Sequence, residues 1–93
     1  MDMLTDYISV TGDDHWTSAI GLRNNIGELA ITGSFTATVT LQVSYDGTNW
    51  VDVETFTTAD HKTITGIEGT QWRAGIDTGD YTSGTVTVRL STK

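Results

Sequence analysis

The sequence predicts an all-β fold: a single small antiparallel β-sandwich of about eight strands, immunoglobulin-like or jelly-roll in its connections. Three observations predict it. Roughly one residue in five is threonine, proline is absent and glycines fall between the apolar runs, a bias towards pleated, half-buried surface and against helix. Apolar and polar residues alternate at period two in run after run, about ten residues apart, with no helical segment between them. Two of these runs meet at Asp46-Gly47, a strong short-range hairpin signal.

Taken in order, Tyr7 to Val10 is a first short strand closed by Thr11-Gly12. After Asp13-Asp14 comes His15 to Leu22, where Trp16, Ser18 and Ile20 alternate with Thr17, Ala19 and Gly21, and Arg23-Asn24-Asn25 is turn chemistry. Glu28 to Thr32 places Leu29 and Ile31 on one face, and Gly33-Ser34 marks a turn or bulge. The long fourth run sets Val39, Leu41, Val43 and Tyr45 against Thr38, Thr40, Gln42 and Ser44, the pattern of a sheet dry on one side only. Asp46-Gly47 then predicts a tight primed turn with positive φ at both central residues.

In the fifth run Val51, Val53 and Thr55 continue the inward face, while Asp52 and Glu54 point to water on the same side as Trp50 and Phe56. Those two aromatics disagree with the register. Either Trp50 caps the hairpin end or a bulge near Thr55 returns Phe56 to the core. His61 to Thr65 is a polar sixth strand around Ile64, Gln71 to Ile76 a seventh carrying Trp72, Ala74 and Ile76, and Thr85 to Ser91 an eighth with Val86, Val88 and Leu90 inward. Thr38 to Ser44 echoes Thr85 to Ser91, although alternating Thr and Val alone produce as much.

A chain of 93 residues makes one domain with a radius of gyration of about 12 Å, burying about 60 to 65% of its unfolded surface. It has no room for both a full core and a deep substrate cavity. Without cysteine there is no disulfide framework or thiolate metal cluster, which leaves apolar packing and neighbouring subunits as sources of stability. Twelve acidic against five basic side chains give a net charge of −7, which opposes binding to nucleic acid and to anionic membrane surfaces. Met1 to Asp6 has neither the basic start nor the apolar stretch of a secretory signal, and no run reaches membrane-spanning length, so the chain reads as made and folded in a cytoplasm.

Candidate chemistry is sparse. Asp13-Asp14-His15 sets neighbours on opposite faces of an extended chain, so only Asp13 and His15 share a side, and His61 beside Asp60 is remote in sequence. Asp46, Thr48 and Asn49 offer oxygens in one loop without the spacing of a calcium loop, and an aspartate there ordinarily bonds its own turn; Asp77-Thr78-Gly79-Asp80 reads the same way. Asp52 and Glu54, two apart on a strand, would lie roughly 6 to 7 Å apart, a glycosidase-like separation, but on an open face with nothing to raise an acid's pKa. Ser44 and Ser83 lack a neighbouring base. No catalytic residue, metal ligand or cofactor follows, and the sequence reads as non-enzymatic. Trp16, Trp50 and Trp72 read as core or subunit interface, with a sugar platform as the alternative.

Ser44-x-Asp46-Gly47-x-x-Trp50 resembles the Asp-box hairpin of bacterial-neuraminidase-type repeats, with one residue fewer between Asp and Gly. Present once, it implies a well-held hairpin and no sialidase activity. From about Trp16 to Leu90 the chain looks like small β-sandwich structural proteins of tailed bacteriophages. The resemblance rests on Gly33-Ser34-Phe35 leading into Thr38-Val39-Thr40-Leu41-Gln42, on Ser44-x-Asp46-Gly47-x-x-Trp50-x-Asp52-Val53, on Trp72-Arg73-Ala74-Gly75 and on Thr78 to Leu90. It implies a virion component, foremost a capsid decoration (cement) protein that stabilises the assembled shell, or a head or tail accessory module. The alternatives are a glycan-binding β-sandwich module or a tail or fibre accessory protein.

On that resemblance the expected partners are the major capsid protein or another virion protein, and further copies of the chain in a symmetric homo-oligomer, because weak contacts multiply on a lattice when subunits are joined. The expected location is the virion, after synthesis in the host cytoplasm. The expected division is an N-terminal arm and first short strand at 1–14 and the sandwich at 15–93. Expected contact residues are Leu4 and Tyr7 in or beside the polar arm and the aromatic loop residues Trp50 and Tyr81.

Overall fold

The computed structural model describes residues 4–21, 26–66 and 69–92 and, of residues 4–6, the backbone alone. The expected turn at Arg23-Asn24-Asn25 lies outside them. The strands are β1 (Leu4–Val10), β2 (His15–Trp16), β3 (Ile20–Gly21), β4 (Ile26–Thr32), β5 (Phe35–Ala37), β6 (Val39–Ser44), β7 (Trp50–Phe56), β8 (Asp60–Thr65), β9 (Gln71–Ile76), β10 (Tyr81–Gly84) and β11 (Val86–Thr92), with no helix among the described residues. One sheet has the order β1-β11-β4-β8; a second runs β2-β9-β6-β7, with β3 also on β9; β5 and β10 form a separate two-stranded ribbon. Every ladder is antiparallel.

The all-β sandwich expected from the alternation is therefore what forms, with eleven strands in place of about eight. The additional ones have local causes. The expected strand His15 to Leu22 breaks at Thr17, whose backbone N–H donates to the Ala74 carbonyl at 2.8 Å while its hydroxyl accepts from the Ala74 N–H at 3.0 Å. Trp16 pairs with Gly75 before the break and Ile20 with Trp72 after it, so the two fall on opposite faces, not on one as continuous alternation required. The ribbon β5–β10 forms from Phe35–Ala37 and Tyr81–Gly84, to which alternation assigns no strand of their own. Its close is glycine-dependent: a Cβ on Gly84, at φ 94°, would stand 2.3 Å from the Ser34 carbonyl oxygen.

The two sheets enclose the core. From the first come Val10, Leu29, Ile31, Ile64, Val86, Val88 and Leu90; from the second Ile20, Val39, Leu41, Val43, Phe56, Trp72, Ala74 and Ile76. The cross-strand pairs Leu90–Leu29 and Val88–Ile31 stack apolar side chains on one face, the unit from which sheet stability is built. The radius of gyration is 12.4 Å.

Strand β7 departs from the expected register. Thr55 opposes Thr40, Glu54 opposes Leu41, and then Asp52 opposes Gln42, leaving Val53 as an unpaired bulge residue. A bulge does return Phe56 to the core, 7% exposed opposite Val39, but it sits two residues earlier than expected. Its consequence is that Asp52 and Glu54 do not share a side: Asp52 joins Trp50 on the outer face, and Glu54 turns towards the rim of the core. There it meets Lys62 of β8 at 2.8 Å, an ion pair that links the open edges of the two sheets. Val51 and Val53, expected inward, are instead 52% and 46% exposed on this edge strand.

Two further expectations are corrected. The turn at Asp46-Gly47 is not a two-residue primed turn, since Gly47 has φ 81° and Asp46 does not have positive φ; the strands are joined by a longer loop, Tyr45 to Asn49. The sheet is also not dry on one side only: all six residues of β6 are buried, Thr40, Gln42 and Ser44 included. What covers their outer face is the candidate site.

Candidate functional site

Residues directly opposite one another in an antiparallel ladder project to the same face. On the outer face of the second sheet this rule brings together Trp16 and Gly75, Arg73, Gln42 and Asp52, then Ser44 and Trp50. Arg73, on the interior strand β9, lies with its guanidinium carbon 4.3 Å from the centre of the Trp16 ring and 4.4 Å from that of Trp50. The indoles arrive from different sides of β9, Trp16 from β2 and Trp50 from across β6. Together with the arginine stem they roof the polar side of β6, which is why threonine, glutamine and serine there are shielded from water.

The roof is tied down by a short relay. Arg73 Nε donates to Gln42 Oε1 at 2.8 Å, and Gln42 Nε2 donates to Asp52 Oδ1 at 2.7 Å. Both polar ends of the buried glutamine are thereby satisfied, as burial demands. Burial between the rings lowers the pKa of the Arg73 guanidinium from its usual value, with the Asp77 carboxylate acting in the opposite direction. The position of Trp16 depends on Gly75: a Cβ there would lie 2.1 Å from the His15 carbonyl oxygen and 2.7 Å from the Trp16 Cα.

Beside Trp50, the loop after β6 is held by its aspartate. Asp46 Oδ1 accepts from the Thr48 and Asn49 N–H groups at 2.8 Å each and from the Ser44 hydroxyl at 3.1 Å, while Oδ2 accepts from Asn49 Nδ2 at 2.7 Å. Those bonds, from the Asn49 and Thr48 backbone first, hold the Asp46 carboxyl far below the usual carboxylate range. The oxygens that a loop cation would need are spent on the loop itself.

The expected contact residues disperse. Trp50 lies at the start of β7 and Tyr81 in β10, both in strands and not in loops. Tyr81 packs against the core with its hydroxyl donating to the Gly84 carbonyl at 2.7 Å. Tyr7 is 62% exposed on the edge strand β1, opposite Arg89. The Leu4 backbone pairs with Thr92; its side chain, like Met1 to Met3, lies outside the described residues. Trp72 is core, its indole N–H donating to the Thr70 hydroxyl at 3.1 Å. Asp13 accepts from the Gly79 N–H at 2.9 Å, His15 and His61 are exposed, and among the described residues no three His, Asp or Glu side chains converge.

Among the described residues, an open depression of about 340 Å³ runs along Phe35 to Thr38 and Asp80, and another of about 520 Å³ lies between Ala30 to Thr32 and Ala59 to His61. Arg73 and Gln42 were not singled out from the sequence. Their signal was their parity, since both occupy the polar side of alternating runs; which runs are neighbours, and so which polar residues meet, is decided by the sheet order.

Comparison of the chain with protein-family models, with curated proteins and with solved structures finds no match in any of the three.

Proposed function

We propose that the protein is a non-enzymatic structural module of a tailed-phage particle, foremost a capsid decoration protein that binds the assembled shell and stabilises it by preferring it to its dissociated parts. Two things support the reading: the segmental resemblance in sequence, and the character of β7. That strand is an unpaired sheet edge with Val51 and Val53 exposed, and Tyr45 is 65% exposed in the loop beside it. The carrying observation is this combination of apolar side chains and free main-chain groups, the features by which a sheet edge docks onto another protein.

In this reading β7 faces the shell, and the symmetric homo-oligomer forms through another edge. A sugar platform is the weaker alternative because Trp16 and Trp50 each commit a ring face to Arg73. The test is co-sedimentation of the purified protein with expanded capsids and with procapsids, alongside sedimentation of the protein alone. Saturable capture by the expanded shell supports the proposal; absence of capture, with millimolar or tighter oligosaccharide binding, refutes it.

A further inference from the structure

The guanidinium of Arg73 has five N–H donors, and among the described residues Nε alone is engaged, by Gln42 Oε1. No described carboxylate lies within ion-pair distance of it, and the Asp77 carboxylate acts on it only from beyond that distance; the described ion pair of the chain is Lys62–Glu54. This is unusual in a molecule with twelve acidic and five basic side chains. Asp52 is the carboxylate nearest in the relay, yet Gln42 stands between the two as a neutral amide spacer. Among the described residues no buried side-chain nitrogen is left without a partner, so the terminal N–H groups of this half-buried arginine open to solvent.

The surroundings suit one kind of ligand. Two indoles strip water from the cation, and the hydrogen bond at Nε fixes the plane of the fork, so the ordering that an arginine ordinarily undergoes on binding has already occurred. A guanidinium fork prepared in this way matches a carboxylate, which it binds through two parallel, charge-assisted hydrogen bonds. We propose that the Trp16–Arg73–Trp50 stack is a receptor for a single carboxylate presented by a partner protein, an aspartate or glutamate on a strand or loop laid across the outer face of the sheet. The partner's carboxylate would supply the charge that Gln42 withholds. The net charge of −7 selects against a densely anionic ligand and for an isolated carboxylate flanked by neutral residues. The inference deepens the assembly reading by naming what the partner must carry.

The test is a nitrogen-15 NMR titration of the intact protein with a capped pentapeptide containing one central glutamate among threonine and valine, and with its glutamine counterpart. The glutamate peptide should shift the Arg73 Nε–H and the indole N–H signals of Trp16 and Trp50 saturably at millimolar concentration and leave Trp72 unmoved, and the glutamine peptide should bind about tenfold or more weakly. Arg73→Lys, which keeps the charge and loses the fork, should weaken the glutamate peptide by a similar factor. Should that variant fail to fold, Gln42→Glu combined with Asp52→Asn moves the internal carboxylate one link closer at constant net charge and should abolish the response.

Equal binding of the two peptides, or an unchanged response in the folded variants, overturns the proposal. So does tighter binding of galacturonic acid than of the peptide, which would make the ligand an acidic sugar. Undiminished capture of the folded Arg73→Lys protein by expanded capsids refutes this inference and leaves the assembly reading intact. Failure of the wild type to bind shells refutes that reading, while the peptide titration still decides this one.

Discussion

Arg73 shows how one side chain determines what a sheet face becomes. Without it, Thr40, Gln42 and Ser44 would be an ordinary solvated face; with it, two indoles are drawn over them. A cation held against an aromatic face contributes about 0.5–1 kcal/mol when exposed and about 2 kcal/mol when desolvated. Arg73→Ala also leaves Gln42 Oε1 without its donor, so a loss of about 1–3 kcal/mol is expected, measured by urea unfolding with tryptophan fluorescence as the probe. The Asp46 carboxyl acts at the neighbouring loop. Its folded pKa lies below the ordinary aspartate value of 3.8, so its contribution is fully present above that pH and is lost as pH falls through the folded value. Asp46→Ala should therefore lower stability at pH 6 and by less at pH 3, giving a shallower acid limb in paired denaturation curves. An equal loss at both pH values would show that the carboxylate charge is not what holds the loop.

At the scale of elements, the break between β2 and β3 and the bulge in β7 decide which aromatics face in and which face out. Gly75 permits the first: with any side chain there, β2 cannot reach its place on β9. Gly75→Ala should cost more than about 2 kcal/mol and change the environment of Trp16, read from the unfolding midpoint and the tryptophan emission maximum. The β7 bulge is different in kind, because every pairing on either side of Val53 is already in register. Deleting Val53 should leave the melting temperature within about 5 °C, equivalent to roughly 1 kcal/mol for a domain of this size. It should also flatten an edge that the bulge now protects, and so raise self-association in sedimentation velocity. Seven of the strands, β1, β4, β6, β7, β8, β9 and β11, fall on runs read from alternation, and the eighth run, His15 to Leu22, divides into β2 and β3. A bulge near Thr55 is one of the two expected ways to place Phe56; it falls at Val53 instead, which turns Glu54 to the other face and leaves Phe56 inward, so Phe56 alone does not distinguish the two positions.

For the whole molecule, the acidic surface sets behaviour that no single contact does. The net charge of −7 opposes indiscriminate aggregation at neutral pH and disappears near the isoelectric point of about 4.3. Light scattering should therefore pass through a maximum close to pH 4.3, with dispersed particles at pH 7; a flat profile would mean that the open edges of β1, β7 and β8 are not available for association. The Lys62–Glu54 pair, half-exposed at the rim where the two sheets meet solvent, contributes less than about 1 kcal/mol and serves to charge that rim.

Period-two burial is local, and the sequence by itself determined everything that depends on it: the fold class, the hairpin at Asp46, and the inward valines, leucines and isoleucines of β4, β6, β8, β9 and β11. The order of the strands in space belongs to the tertiary structure, because alternation states which way a side chain points and not what stands beside it. Only that order brings Trp16, Gln42, Trp50 and Arg73, drawn from four strands, onto one face, and turns a row of polar residues into a buried, cation-centred stack.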